Sequence, residues 1–146
     1  GDKISKVTAI VVHYVGNPGT TAEQNRSYFN NLAELKNAYA SSHYVVGLQG
    51  EIIQCVPLDE IAYASNNRNY DTISIECCHQ DVEGRFTGDT YNSLVRLVAA
   101  LCRTYGLNPE TDVIRHYDVT GKLCPIYYVN NPDEWYAFKL SVKNEM

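Results

Sequence analysis

The chain has 146 residues and a mass of 16.4 kDa, the size of one ordinary domain, since domains cluster near ~100–150 residues. Its 45% apolar and 20% charged residues are those of a globular fold, which excludes disordered and fibrous proteins. Twelve Lys and Arg stand against 17 Asp and Glu for a net charge of −5, scattered without a basic cluster, so the electrostatic footprint of a nucleic-acid or anionic-membrane binder is missing.

The N-terminal stretch GDKISKVTAIVVHYVG lacks the pattern of a signal peptide, and no window approaches the ~18 apolar residues of a membrane span. Synthesis in the cytoplasm is therefore expected, and no membrane partner. Val7 to Val15 is an almost unbroken β-rich run that reads as a strand buried on both faces. After the turn at Asn17-Pro18-Gly19, a capping box opens a helix to about Lys36, with either Thr20 and Glu23 or Thr21 and Gln24 as its pair. Phe29, Leu32 and Ala33 form its buried stripe. His43 to Leu48 and Glu51 to Val56 read as a hairpin turning at Gln49-Gly50, with Gly supplying positive φ.

Ala62 to Tyr70 is a polar loop, followed by a strand from Asp71 to Cys78 in which Ile73, Ile75 and Cys77 face one way and Ser74 and Glu76 the other. Thr90 to Tyr105 has Leu94, Leu97, Val98, Leu101 and Tyr105 at helical spacing, with Gly106 as its stop. Val113 and Ile114 suggest a short strand leading into a loop. Asn131 as cap and Pro132 at the first position open a last helix, packed through Trp135, Phe138 and Val142. Strands interspersed with helices specify one α/β domain over residues 1–146, with a central mixed β-sheet flanked by helices.

Chemistry concentrates at few positions. There are four His. His13 ends the most apolar strand, where open α/β sheets place their sites, although a hydrogen-bonded core His is the plain alternative. His116 and Cys124 share the segment RHYDVTGKLCP, and imidazole and thiolate suit a borderline-soft ion such as Zn²⁺. Three protein ligands, His13, His116 and Cys124, leave a fourth position open for water, which is the pattern of a catalytic site.

The strand ending in His13, SSHYVVGLQGEIIQCVP from Ser41 to Pro57, DTISIECC from Asp71 to Cys78 and the RHYDVTGKLCP segment together resemble the type-2 N-acetylmuramoyl-L-alanine amidases. This superfamily includes phage endolysins, bacterial autolysins and peptidoglycan recognition proteins. The resemblance implies a peptidoglycan hydrolase that cuts the amide between N-acetylmuramic acid and L-alanine with zinc-activated water, acting on the bacterial cell wall. It implies one Zn²⁺ per chain at one end of the sheet, held by His13, His116 and Cys124, with Glu76 as general base and Lys122 on the oxyanion. In one departure, Ser42 precedes His43 where some phage members have a catalytic Tyr.

Substrate contacts are expected from His43, or else it is structurally buried, and from Asn66, Asn67 and Arg68, or else their loop is an ordinary solvent one. Asp118 and Tyr117 are expected to anchor a ligand imidazole or structure the loop, or else to be surface residues. Cys55, Cys77, Cys78 and Cys102 read as buried apolar residues, and His79 is given no role. The alternatives are a non-catalytic peptidoglycan-binding recognition module and a cytosolic muropeptide-recycling amidase. A Cys nucleophile paired with His43 or His79 ranks below these for want of an orienting group. An acidic domain acting on an anionic wall points to a separate C-terminal cell-wall-binding module, and the end of the chain just after a helix fits that expectation.

Overall fold

The computed structural model describes residues 1–35 and 40–146, without the side chains of residues 33–35. The elements in chain order are β1 (Ala9–Tyr14), α1 (Ala22–Leu35), β2 (Tyr44–Val46), β3 (Ile52–Gln54), β4 (Thr72–Cys77), α2 (Gly88–Tyr105), α3 (Pro109–Asp112), β5 (Val113–Arg115), α4 (His116–Thr120), α5 (Ile126–Asn130) and α6 (Pro132–Glu145). The strands form one sheet in the order β3-β2-β4-β1-β5. β1 runs parallel to β4 and β5, β2 runs parallel to β4, and only the edge hairpin β2–β3 is antiparallel.

The apolar run of β1 is explained by its interior place, where both faces are covered. Ile10 and Val12, with Ile73, Ile75 and Cys77 of β4, join the larger core under α2 and α6. Leu94, Val98, Phe138 and Val142 meet them there with 1% exposure or less, and each such side chain contributes on the order of 1.5–3 kcal/mol through burial. A smaller cluster on the α1 side gathers Ala22, Val45 and Cys78 with Phe29 and Cys55. The alternation of the strands sends His13 and Glu76 away from the larger core.

Local chemistry sets the ends of the elements. Of the two possible capping boxes, Thr21 with Gln24 forms: the Gln24 amide donates to Thr21 Oγ1 at 3.1 Å and the Thr21 amide to Gln24 Oε1 at 2.9 Å. The expected end of α1 at Lys36 and the packing of Ala33 lie outside the described residues and side chains. α2 begins two residues before Thr90, at Gly88, because Thr87 is its cap and accepts from the Thr90 amide. Gly50 has φ +84, and a Cβ there would stand 2.7 Å from Ser93 Oγ, so the hairpin tip docks on α2 only with glycine.

Several expectations change. The expected loop around His116 opens with the short helix α4, capped by Asp118, whose carboxylate accepts from the Arg115 amide at 2.9 Å. Asn66 to Tyr70 of the expected polar loop, with Asp71 from the expected start of the strand, form a 3-10 turn, and the strand begins at Thr72. Asn131 stands at the start of α6, but its side chain donates to the Tyr127 carbonyl rather than capping. Cys55 is half-buried, while Cys77, Cys78 and Cys102 are buried, and all are free thiols.

The 3-10 turn is fixed by an ion pair. Arg68 Nε and Nη2 donate to the two Asp71 carboxylate oxygens at 2.9 and 3.0 Å, and Thr8 Oγ1 donates to the same carboxylate. Burial opposes ionisation of Asp71, but the bonds from Arg68 and Thr8 outweigh it and hold its pKa below the usual carboxylate value. A depressed pKa contributes stability above the unfolded-state value of ~3.9, and that stability is lost as pH falls through the folded value. Asp71→Asn should therefore destabilise the fold by about 1–3 kcal/mol at pH 7, and the gap to wild type should narrow toward pH 3 in urea titrations. An equal gap at both pH values would contradict this anchor.

Candidate active site

The register of the sheet assembles the site. His13 on β1 lies opposite Glu76 on β4, and β5 on the other side of β1 ends where His116 begins. A Gly121 turn with φ +84 ends α4 and returns the chain to Cys124, whose carbonyl accepts from the Tyr117 amide at 3.0 Å. Three elements distant in sequence thus converge at the carboxyl ends of β1 and β5.

One donor atom from each of His13, His116 and Cys124 lies within 4.8 Å of the others, and all three residues are buried. The rings of His13 and His116 meet edge to face at 4.8 Å between centroids. Cys124 Sγ is 3.8 Å from His13 Nδ1. The Nε2 atoms are engaged elsewhere, His13 with Ser65 Oγ at 3.2 Å and His116 with Asn66 Oδ1 at 2.7 Å. His116 Nδ1 is buried without a hydrogen-bond partner among the described residues. A buried polar atom left unpaired costs about 1–3 kcal/mol, so a nitrogen in this state beside a thiol and a second imidazole fits a cation that completes its coordination.

The electrostatics agree with that fit. Burial, then the charges of His116 and Lys122, pushes His13 well below its ordinary pKa, and burial and Lys122 lower His116. Both imidazoles are therefore neutral near pH 7 and offer lone pairs. Burial, with Glu76 adding to it, pushes the Cys124 thiol up to about 12, against a backbone hydrogen bond from Tyr14 and the charge of Lys122. Such a thiol ionises near neutral pH only against a strong local cation, as metal ligands do.

Glu76 Oε1 stands 3.9 Å from His13 Nδ1. Burial raises its pKa to about 8, with Lys122 pulling in the other direction. The carboxyl opens on a cleft of about 230 Å³ lined by both histidines, Cys124, Lys122, Tyr63 and Phe29, among others. Lys122 is exposed at this cleft, in reach of solvent and ligand alike.

The residues expected to contact substrate, His43, Asn66, Asn67 and Arg68, are not among those lining the cleft. His43 is fully buried, accepts from the Ser74 amide at Nδ1 (3.0 Å) and donates from Nε2 to the Glu60 carbonyl (2.7 Å). It is not among the residues lining the cleft. Arg68 is engaged by Asp71, Asn66 by His116, and Asn67 is exposed and not among the residues lining the cleft. His79 is buried, with its Nε2 accepting from the Gly16 amide at 3.0 Å and Nδ1 donating to Asp81 O at 2.8 Å, so it ties the ends of β1 and β4 together. Ser65, Ser41, Phe29 and Tyr63 are not individually assigned to the site by the sequence, where Phe29 reads as core and Tyr63 and Ser65 only as part of the polar loop, because their place depends on chain segments far from the motifs.

An α/β domain with a two-imidazole, one-thiol donor set beside a half-buried carboxyl has the residue types from which open metal sites are built. The chain belongs to the N-acetylmuramoyl-L-alanine amidase family Amidase_2, whose model matches residues 3–126. It is 34% identical to N-acetylmuramoyl-L-alanine amidase BlyA of Bacillus subtilis (strain 168), across 100% of this chain and 44% of that protein. It is also 34% identical to N-acetylmuramoyl-L-alanine amidase CwlL of Bacillus licheniformis, across 97% and 42%. The chain thus spans less than half the length of these curated relatives. Among solved structures, PlyL superposes with a TM-score of 0.84 at 27% identity, covering 99% of this chain and 88% of that one.

The two buried bonds of His43 make it a structural residue. His43→Ala leaves the Glu60 carbonyl and the Ser74 amide unpaired and opens a cavity, so urea unfolding should report a loss of about 2–4 kcal/mol. Unchanged stability with lost turnover would instead assign His43 to the chemistry.

Proposed function

We propose that this domain, residues 1–146, is a zinc-dependent N-acetylmuramoyl-L-alanine amidase that hydrolyses the amide between the lactyl group of muramic acid and the first L-alanine of the peptidoglycan stem. The observation that carries the reading is the unpartnered, buried His116 Nδ1 in the cluster with His13 and Cys124. These three residues would hold one zinc ion, a metal that prefers imidazole and thiolate donors and keeps a fourth position open in catalytic sites. Bound there, it would polarise the amide carbonyl and lower the pKa of a water molecule toward ~7.

The chain's own residues supply the rest. Glu76, with a raised proton affinity and a place beside the donor cluster, accepts the proton of the attacking water and returns it to the departing amide nitrogen. Its burial favours the neutral acid, so the proton is held where it is needed for the second transfer. Lys122 places a positive charge at the cleft, suited to the oxyanion that develops on the carbonyl oxygen. Tyr63 and Phe29 give the cleft an aromatic lining suited to sugar and stem-peptide surface. The joint presence of Cys124, Glu76 and Lys122 favours turnover over a recognition role. The substrate implies action on the cell wall. No described helix is long and apolar enough to cross a membrane.

Glu76→Gln should keep zinc uptake and fold while lowering turnover by about 10²–10⁴-fold, the usual weight of a general base. The assay is mass spectrometry of fragments from defined peptidoglycan, with and without chelator. The reading predicts free stem peptides beginning with L-alanine, abolished by chelator and restored by zinc. Cleavage at another bond, or chelator-resistant lysis by metal-free protein, would overturn it.

A further inference from the structure

Ser65 and Asn66 are consecutive, yet each touches a different imidazole of the cluster. Ser65 Oγ lies 3.2 Å from His13 Nε2 and 2.9 Å from Ser74 Oγ. Asn66 Oδ1 lies 2.7 Å from His116 Nε2, and as a carbonyl oxygen it only accepts, so that ring must carry its proton on Nε2. Ser65 can accept from His13 Nε2 and donate onward to Ser74 on β4. One two-residue step therefore meets the Nε2 nitrogen of both rings and leaves His13 Nδ1 beside Cys124 and His116 Nδ1 without a hydrogen-bond partner among the described residues.

We propose that Ser65-Asn66 is a positioning clamp that fixes the tautomer and the ring orientation of His13 and His116 together. The inference rests on the metal-site reading above. Imidazole torsions are broad and two-fold, so a ring held only by its Cβ presents either nitrogen. A fixed partner on the far nitrogen selects one.

The clamp is itself braced. Asn69 Oδ1 accepts from the amides of Ala64 and Ser65 at 3.2 and 2.7 Å. The Arg68 amide donates to the Ser65 carbonyl at 3.0 Å, and the Arg68 side chain is locked to Asp71. Asn66 is the one non-glycine residue with positive φ, 54°, among those described. Asn tolerates that left-handed conformation better than most residues, because its side chain hydrogen-bonds locally. Here the side chain reaches His116 instead, so the unusual backbone serves to aim the amide at the ring. The Ser65 hydroxyl is buried, and its onward bond to Ser74 ties the clamp to the strand that carries Glu76.

Two substitutions separate positioning from general stability. Asn66→Gly removes the acceptor and accepts the positive φ without strain, whereas Asn66→Asp retains an acceptor oxygen and tolerates the same backbone. Zinc affinity, read against a chromophoric chelator, should fall about 10–100-fold in Asn66→Gly, the usual weight of an outer hydrogen-bond partner. It should stay within a few-fold of wild type in Asn66→Asp. Imidazole ¹⁵N shifts of the metal-free chain should show His116 protonated on Nε2 in wild type and a tautomer mixture in Asn66→Gly, with little change in melting temperature. Affinity within twofold of wild type and an unchanged tautomer in Asn66→Gly would overturn the clamp, as would failure of Asn66→Asp to retain affinity. A wild-type chain that takes up no zinc would overturn the metal-site reading and the clamp with it.

Discussion

The in-register parallel pairing of β1 with β4, which sets His13 opposite Glu76, is the constraint from which the site is built. A one-residue slip of either strand would send its own reactive side chain, His13 or Glu76, toward the α2 and α6 core and away from the other, because successive strand residues face opposite ways. Burial of Ile10, Val12, Ile73 and Ile75 on that core face forbids the slip. The apolar half of each strand thus holds the reactive half in place. β5, paired with β1 on its other side, delivers His116 by the same logic, since the chain leaves β5 directly into α4.

This placement has a cost that explains the electrostatics. Two imidazoles, a thiol and a carboxyl sit in a space with little access to water, and burial drives each of them toward its neutral form. Neutral imidazoles suit metal ligation. A thiol held near 12 requires a cation to ionise, so cation binding at this cluster would be coupled to proton release and to the stability of the fold. The hydrogen bonds of Ser65, Asn66, Asp118 and Arg115 satisfy the outer atoms of the segment and leave the inner ones facing one point.

Much of this was legible in the amino-acid sequence where local chemistry decides the outcome. The β-branched run of β1, the Thr21–Gln24 box, the Gly50 turn, the periodic face of α2 and the Trp135, Phe138 and Val142 stripe all act over a few residues. So does the segment that carries His116 and Cys124. Positions whose role depends on long-range partners were read less well. Arg68 looked available to a ligand, and its charge is spent on Asp71 and Thr8, which the sequence places 3 and 60 residues away. His43 could have faced a ligand, and a backbone amide of β4 and the Glu60 carbonyl enclose it instead. The helical turn at His116 escaped notice because its cap, Asp118, follows the first helical residue rather than preceding it. Ser65 reads in the sequence only as part of a polar loop, and its own role is hidden because its partner His13 is 52 residues distant.

His13, His116 and Cys124 converge in one buried cluster, and the proposed function requires that they hold one metal ion with a fourth position open. X-ray absorption at the zinc K-edge of the loaded protein tests it most directly. The proposed zinc site predicts two nitrogen neighbours at ~2.0–2.1 Å, a single sulfur at ~2.3 Å and one further light-atom neighbour. A shell without sulfur, or one with two or more sulfurs, would contradict it.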